Sequence, residues 1–181
     1  TERVYSYKSD MWSVGCIFSE CVYFTDAYTN KGGRELKKRV LFPGSSCFPV
    51  SPSNRNQDDK NDSDTLKISE NDQLIKILEK VSDLQKNDFS FLSDNTAIEY
   101  AEQVSAQRKG NSLGQRFSES SSTIVDILES LLEFNHQYRV SAKELLTHKI
   151  FDDIRVTRLE RGAPYQIHLL CDSKDSYNYS S

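Results

Sequence analysis

Residues 6–24 read SYKSDMWSVGCIFSECVYF, and this stretch decides the fold. After its first five residues it is apolar nearly all the way round, with Glu20 its only charge. A helix that is apolar on every face is typically buried on every face. The sequence therefore predicts a buried helix over residues 7–24, with the Ser6 hydroxyl as its N-cap. Asp10 stands at the start of this helix, where a carboxylate is costly unless a partner binds it.

The composition excludes several classes of function. The chain has 181 residues, enough for one ordinary domain, with 36 % hydrophobic residues, 28 % charged residues and a net charge of -4. This mild acidity gives no electrostatic case for binding nucleic acid or an anionic membrane. No apolar run is as long as a membrane span, and the N-terminus lacks the features of a signal peptide.

The cysteines and histidines indicate neither a disulfide framework nor a metal site. The four cysteines form no CxxC pair, and we interpret them as reduced thiols of a cytoplasmic or nuclear protein: Cys16, Cys21, Cys47 and Cys171. The three histidines have no metal-ligand spacing, and we expect surface or structural roles for them: His136, His148 and His168.

Further helices are predicted by apolar residues at helical spacing. One helix starts near Asn71 and carries the face Leu74, Ile77, Leu78 and Val81. Residues 97–104 (AIEYAEQV) are a candidate short helix, and residues 108–116 (RKGNSLGQR) a loop. A strongly amphipathic helix follows, with the face Ile124, Ile127, Leu128, Leu131 and Leu132.

The last predicted helix begins at Ser141, where Glu144 completes a capping box. Its inner face comprises Leu145 and Leu146, and two residues beyond it are expected to be buried as well: Ile150 and Phe151. No alternating strand pattern of any length occurs, so the prediction is an all-α fold with long loops. Residues 45–69 are poor in apolar residues and are predicted to be a mobile insertion loop, and residues 172–181 a frayed end.

Residues 8–20 (KSDMWSVGCIFSE) resemble the long central helix of the protein kinase C-terminal lobe. They follow the family pattern D-x-W-S-x-G-x-x-x-x-E at Asp10, Trp12, Ser13, Gly15 and Glu20. The cysteine and isoleucine after the glycine are most similar to the mitogen-activated and cyclin-dependent kinases. Two later pieces agree in order: LFPG followed by NDQLIKIL, and ILESLLEFNHQYRVSAKELLTHKIF at residues 127–151.

The resemblance implies a mainly α fold, the helical C-terminal lobe of a kinase domain. Residues 1–155 would be a partial kinase domain from the central helix onward, and residues 156–181 a C-terminal extension. The chain looks truncated at its N-terminus. Because the family packs the central helix against segments missing here, we expect the isolated chain to expose apolar surface.

Four residues are expected to support the active site structurally: Asp10, Trp12, Gly15 and Arg139. In kinases that look like this chain, the aspartate equivalent to Asp10 accepts backbone hydrogen bonds from the catalytic loop. The arginine equivalent to Arg139 pairs with a glutamate at the end of the activation segment. Neither the catalytic loop nor that glutamate is present in this sequence.

The sequence lacks the residues that carry out phosphoryl transfer. It contains no His-Arg-Asp and no Asp-Phe-Gly, and the two glycines of NKGGRE have no flanking strand pattern. The acidic pairs Asp58–Asp59 and Asp152–Asp153 are interpreted as solvated charge. We therefore expect no catalytic, cofactor-binding or metal-binding residue in this chain, while the resemblance implies ATP and Mg²⁺ for the intact kinase.

Three functional interpretations remain open. The first is the C-terminal-lobe portion of a serine/threonine kinase that transfers the ATP γ-phosphate to proteins, before proline by analogy with its branch. The second is a catalytically inactive, kinase-derived helical scaffold, and the third is an unrelated helical domain. The resemblance implies protein substrates and regulatory proteins as partners, without nucleic acid or membrane. Two departures stand out: His136 replaces the usual proline after Asn135, and residues 154–162 are mostly basic, so an acidic docking patch is not carried over.

Overall fold

The computed structural model describes residues 6–29, 40–47, 51, 71–81, 89–106, 112–162 and 164–165. Several features of the sequence lie outside these residues: the NKGGRE stretch, Asp58 and Asp59, most of the insertion loop 45–69, His168, Cys171 and the end 172–181.

The described residues form α-helices joined by turns, as the sequence predicts. In chain order the α-helices are α1 (Lys8–Val22), α2 (Asp26–Thr29), α3 (Gln73–Leu78), α4 (Asn95–Ala106), α5 (Leu113–Arg116), α6 (Ser122–Leu131) and α7 (Ala142–Leu145). Two short 3-10 helices follow, Lys149–Phe151 and Thr157–Leu159. Within the described ranges no strand forms, and the one β-type pairing is an isolated parallel bridge between Ser46 and Asp72. None of the described helices is long and apolar enough to cross a membrane.

Helix α1 begins one residue later than predicted. Tyr7 occupies the N-cap position and makes no side-chain capping bond. The Ser6 hydroxyl still accepts a hydrogen bond from the Lys8 amide at 3.3 Å, and the Ser6 carbonyl accepts one from the Ser9 amide at 2.8 Å. Ser6 therefore satisfies amides of the first turn from just outside the helix.

Burial of α1 on every face is wrong for this chain. One side is buried, at Met11, Gly15, Ser19 and Val22. The adjacent side is open, with Ile17 64 % exposed and Val14 44 % exposed. Apolar residues on every face of a helix favour burial of every face, but a face is buried only where another segment of protein covers it. This exposure agrees with the expectation that the isolated chain presents apolar surface.

Helix α6 covers the buried side of α1. Its amphipathic face is as predicted: Ile127, Leu128 and Leu131 are buried, as is Leu132 just beyond the helix end. Serine and glycine on α1 allow a close approach, because they present little side-chain volume to the leucines of α6. The α1–α6 pair is therefore the centre of the fold.

Part of the predicted loop 108–116 is in fact helical. Ser112 caps α5, its hydroxyl accepts from the Gln115 amide, and the Gln115 side chain accepts from the Ser112 amide. This is the Ser-x-x-Gln capping box, a start signal that the neighbouring glycines obscured in the sequence. Leu113 and Phe117 are fully buried against the core, so tertiary packing stabilises this single turn.

Helix α7 confirms its predicted start but not its predicted inner face. The capping box between Ser141 and Glu144 is present. Leu145 and Phe151 are half-buried, whereas Leu146 and Ile150 are exposed. The helix has only four residues, so the chain turns away before Leu146 can face the core.

Helix α3 is attached to the preceding LFPG segment through its own cap. The buried Asp72 side chain accepts from the Leu74 amide at 2.9 Å, and Gln73 donates its amide to the Ser46 carbonyl at 2.7 Å. Burial, followed by the nearby Asp72 carboxylate, raises the pKa of Tyr100 on α4 to about 12. The second piece of the kinase-like pattern thus folds as one connected unit with α4.

Three groups of buried side chains meet around α1. The largest joins α1, α5 and α6, the second joins α3 and α4, and the third lies between α1, α6 and α7. Trp12 packs against both the first and the second group. This single side chain therefore connects the two parts of the core.

The α1–α6 contact predicts the effect of a methyl group at Gly15. A Cβ there would lie 2.8 Å from Leu132 Cδ2 and 3.0 Å from Leu131 Cβ, which is too close. We expect Gly15→Ala to lower the free energy of unfolding by about 1–3 kcal/mol, despite the better helix propensity of alanine. Urea denaturation of the chain measures this change.

Gly114→Ala is the matched control, because Gly114 is also helical and its added Cβ would approach Val125 no closer than 3.8 Å. Its stability should stay the same or rise slightly. Equal stabilities of the two variants would show that α1 and α6 are further apart than described.

Candidate functional site

Trp12 and Arg139 form one contact, although 127 positions separate them in the sequence. The Arg139 Cζ atom lies 4.9 Å from the centre of the Trp12 ring, a cation–π geometry. Phe42 of the LFPG segment stacks on the same indole with ring centres 5.3 Å apart and an interplanar angle of 18°. Two of the four predicted support residues are thus brought together, and Phe42 joins them.

Arg139 is buried and bonded to the main chain. It is only 7 % exposed. Its Nε donates to the Glu133 carbonyl at 2.9 Å, its Nη1 to the Lys8 carbonyl at 2.8 Å and its Nη2 to the Phe134 carbonyl at 3.3 Å. Burial lowers the pKa of Arg139, an effect that the nearby Glu133 carboxylate opposes. The guanidinium therefore fastens the turn after α6 to the start of α1.

The three carbonyls do not accept from every N–H donor of the Arg139 guanidinium. Arginine has five N–H donors, and three of them are accounted for among the described residues. Two remain for a carboxylate, so the pairing implied by the resemblance is chemically compatible with this arrangement. That pairing stays a prediction.

The turn that carries Arg139 is fully hydrogen-bonded around Asn135. This buried side chain accepts from the Gln137 amide at 3.0 Å through Oδ1 and donates to Ser90 Oγ at 3.3 Å through Nδ2. Its carbonyl accepts from the amides of Tyr138 and Arg139. The turn therefore forms without the proline that usually follows the asparagine.

His136, in the proline position, packs edge-on against Phe91 with ring centres 5.1 Å apart. Burial, followed by the charges of Arg139 and Lys8, lowers the pKa of His136. A second link to α1 lies next to it, because Lys8 Nζ donates to the Gln137 carbonyl at 2.9 Å. The imidazole of His136 therefore lies near two positively charged side chains, Arg139 and Lys8.

The remaining two predicted residues lie apart from this contact. Gly15 lies one turn along α1, at the approach to α6. Asp10 is exposed in the first turn of α1, and its carboxylate has no hydrogen bond or ion pair within the described ranges. A carboxylate in the first turn also interacts favourably with the helix dipole, so its place has an ordinary structural reason as well. The support role of all four residues remains a prediction.

No pattern in the sequence indicates several of the residues that build this contact. Lys8 acts through its backbone carbonyl, which every residue type possesses. Asn135 was noted only beside the missing proline, and its buried side chain was not anticipated. Phe42 lay inside the quoted LFPG piece, but no pattern in that piece indicated stacking on Trp12.

The described residues contain no cluster of metal-ligating side chains. Among them, no group of three His, Cys, Asp or Glu side chains lies close enough to hold a metal ion. At the Trp12–Arg139 contact the guanidinium donates to three carbonyls, and the Glu133 carboxylate and the Cys16 thiol lie near it. This arrangement can position neighbouring segments of the chain.

Residues 1–151 match the family that is described as "Protein kinase domain". The match covers most of the chain, and the chain belongs to the protein kinase family. Its helical fold agrees with the helical lobe that the sequence predicts.

Curated relatives identify the part of the family to which the chain is similar. It is 24 % identical over 144 residues to mitogen-activated protein kinase 7 of Arabidopsis thaliana, covering 80 % of this chain and 29 % of the relative. It is 23 % identical over 164 residues to mitogen-activated protein kinase p38a of Drosophila melanogaster, covering 91 % and 34 %. With mitogen-activated protein kinase spk1 of Schizosaccharomyces pombe the identity is 27 % over 146 residues, covering 81 % and 29 %. The chain spans about a third of the length of these relatives.

The bonds of Arg139 predict that lysine cannot replace it. Arg139→Lys keeps the charge but loses the planar fork that reaches three carbonyls at once. We expect the free energy of unfolding to fall by on the order of 2 kcal/mol, since buried carbonyls lose charged donors. Arg158→Lys, at an exposed arginine, is the control and should change stability by less than about 0.5 kcal/mol. Chemical denaturation of both variants measures these changes. Equal denaturation midpoints for Arg139→Lys and Arg158→Lys would contradict the hydrogen bonds described for Arg139.

The environment of His136 predicts acid sensitivity. Because its folded-state pKa lies below the ordinary value of 6.5, the unfolded chain binds this proton more readily than the folded chain. The contribution of His136 is fully present above about pH 6.5 and is lost as the pH falls through its folded-state pKa. His136→Gln should therefore flatten the decrease of the melting temperature between pH 7.5 and pH 5.

His148→Gln, at the other described histidine, controls for the loss of an imidazole elsewhere. The pH slope of the melting temperature should change more in His136→Gln than in His148→Gln. A His136→Gln variant with an unchanged slope would show that Lys8 and Arg139 do not affect this imidazole.

Proposed function

We propose that this chain is the C-terminal-lobe portion of a serine/threonine protein kinase. The whole enzyme would transfer the γ-phosphate of ATP to serine or threonine of protein substrates. Support comes from the family match and from relatives that are named mitogen-activated protein kinases. By analogy with that branch, we propose phosphorylation before proline.

The open side of α1 carries the proposal. Residues 7, 10, 14, 17, 21 and 24 follow helical spacing along one face, and all six are exposed. Four of them are large and apolar: Tyr7, Val14, Ile17 and Phe24. An apolar face of this length on the central helix is expected where further protein packs. We propose that the catalytic-loop region of the complete kinase domain covers it.

Asp10 lies on the same open face, which gives the carboxylate a role in this arrangement. When the catalytic loop packs there, its backbone amides would donate to Asp10, and a carboxylate held by amides is inexpensive to bury. Arg139, with its two remaining donors, would bind the glutamate that ends the activation segment. Trp12 and Gly15 would hold α1 in the position that both contacts require.

Nucleotide and metal would bind outside this chain. ATP and Mg²⁺ are proposed for the whole kinase, on residues that the 181 positions do not include. Its partners would be protein substrates and regulatory proteins, without nucleic acid or membrane. Reduced cysteines favour the cytoplasm or the nucleus as its location.

A catalytically inactive helical scaffold is the second candidate. It is supported by the exposed apolar residues of α1, which a partner protein could cover. The open face of α1 would then bind a partner protein instead of a catalytic loop. The two candidates differ in whether the natural polypeptide that contains this chain transfers phosphate.

Phosphotransfer assays with Mg·ATP distinguish these candidates. The 181-residue chain alone should neither bind ATP saturably nor phosphorylate a protein substrate. The natural polypeptide that contains it should be active, and Asp10→Asn should reduce its turnover on the order of tenfold to a hundredfold through misplacement of the catalytic loop. Its melting temperature should change little, because asparagine keeps the size of the side chain and the substitution acts on the position of the catalytic loop more than on the packing of the helical lobe.

Asp153→Asn is the control, since Asp153 is also exposed but lies far from α1 in the sequence. It should leave turnover at the wild-type value. Wild-type turnover of Asp10→Asn would refute the role proposed for Asp10. An inactive natural polypeptide would favour the scaffold.

A further inference from the structure

The aromatic ring of Phe42 extends the contact between Trp12 and Arg139 to a third segment of the chain. Phe42 stacks on the Trp12 indole, and the Arg139 guanidinium lies against the same indole. The attraction between a cation and an aromatic ring depends on where the ring lies relative to the cation. Any group that fixes the indole therefore also influences the position of the guanidinium.

Phe42 is itself held by the first turn of α3. Its carbonyl accepts from the Gln73 side-chain amide at 3.3 Å and from the Gly44 backbone amide at 3.0 Å. The Gln73 backbone amide donates to the Ser46 carbonyl at 2.7 Å. On the other side of Phe42, Leu41 is buried in the largest group of core side chains. The main chain at Phe42 is thus fixed by the core and by α3 together.

Gly44 allows the LFPG segment, residues 41–44, to lie this close to α3. A Cβ at Gly44 would lie 2.7 Å from the Cα atom of Gln73. A backbone atom cannot turn away as a flexible side chain can, so any other residue at this position would push the two segments apart. The hydrogen bond between Gln73 and Phe42 depends on this close approach.

The same part of the fold reaches Arg139 by a second route. Phe134, whose carbonyl accepts from Arg139, packs against the buried side chains of α3 and α4, and Trp12 packs against them as well. The rings of Phe89 and Phe91 contact the Phe134 ring, with ring centres 5.6 and 5.8 Å apart. Two groups that contact Arg139 are therefore packed on the unit of α3 and α4.

We propose that Phe42 and Gln73 are positioning residues for the Arg139 guanidinium. By fixing the Trp12 indole, they determine the direction of the two N–H donors that the three carbonyls leave over. In the whole kinase, these donors would meet the glutamate at the end of the activation segment. That partner rests on the proposed function, whereas the positioning concerns only residues of this chain.

Positioning of this kind should affect turnover more than nucleotide binding. A displaced guanidinium would misplace the activation segment and so reduce the rate of the chemical step. ATP is proposed to bind on residues outside this chain, so its KM should stay the same. A loss of turnover at constant KM is the kinetic result expected when substrate binding is not disturbed.

Hydrogen exchange of the Arg139 Nε proton, followed by NMR of the nitrogen-15-labelled chain, tests the positioning. This proton is donated to the Glu133 carbonyl at 2.9 Å. The amide of the fully buried Leu128 in α6 is the internal reference, because a variant that is only less stable accelerates its exchange at least as much. Phe42→Leu should raise the ratio of the two exchange rates, Arg139 over Leu128, by about threefold to tenfold, the contribution of one aromatic pair. Phe42→Tyr keeps the ring and should keep the wild-type ratio.

Two further variants act on Phe42 from α3, and each class of variant has a matched control. Gln73→Met removes the side-chain donor at similar length, and Gly44→Ala pushes LFPG away from α3, so both should raise the same ratio. Phe151→Leu changes another half-buried phenylalanine, Gln103→Met an exposed glutamine, and Gly114→Ala a glycine with space for a methyl group. These three controls should leave the ratio at the wild-type value.

An unchanged ratio in Phe42→Leu, or an equal rise in Phe151→Leu, overturns the proposal. If Phe42→Leu does not fold, Gln73→Met decides, and a wild-type ratio in that variant overturns the proposal as well. In the natural polypeptide, Phe42→Leu should lower turnover at least about threefold at unchanged KM for ATP, and Phe151→Leu should not. An inactive wild-type polypeptide would refute the proposed kinase function, while the exchange ratio decides the positioning by itself.

Discussion

The guanidinium of Arg139 is the constraint on which the rest of this structure depends. A cation with little solvent access is tolerable only when most of its donors are satisfied. Here the carbonyls of Lys8, Glu133 and Phe134 accept from it, and the Trp12 ring lies beside it. The turn after α6 and the first turn of α1 must therefore stay together, and α6 is held against α1 along Gly15.

The two sides of α1 differ in how they are packed. On one side, α1 is bonded and packed within the chain. On the adjacent side, its apolar residues remain uncovered, and Asp10 stands among them. The packed side of α1 therefore belongs to the core of the described residues, and the open side is the surface that the proposed function assigns to a further segment.

The sequence predicted what periodicity and capping determine. The face of α6 and the capping box at Ser141 depend on residue spacing, and both are confirmed. Residue periodicity could not predict that Ile17 is exposed. An apolar pattern shows that a helix face favours burial, but it does not show whether another segment covers that face. The hydrogen bonds of Arg139 could not be predicted either. Every residue type has a backbone carbonyl, so the sequence does not show which carbonyls accept from the guanidinium. Helix α5 was missed because adjacent glycines concealed its capping signal.

Trp12 is the only tryptophan of the chain. It contacts Phe42, Arg139 and two parts of the core, so its indole is sensitive to all of them at once. Tryptophan fluorescence of this chain thus has one source, which lies at the contact between α1, LFPG and the Arg139 turn. Emission from this ring reports on the assembly of this contact without any label, and separation of LFPG, α1 or the Arg139 turn would each alter the spectrum.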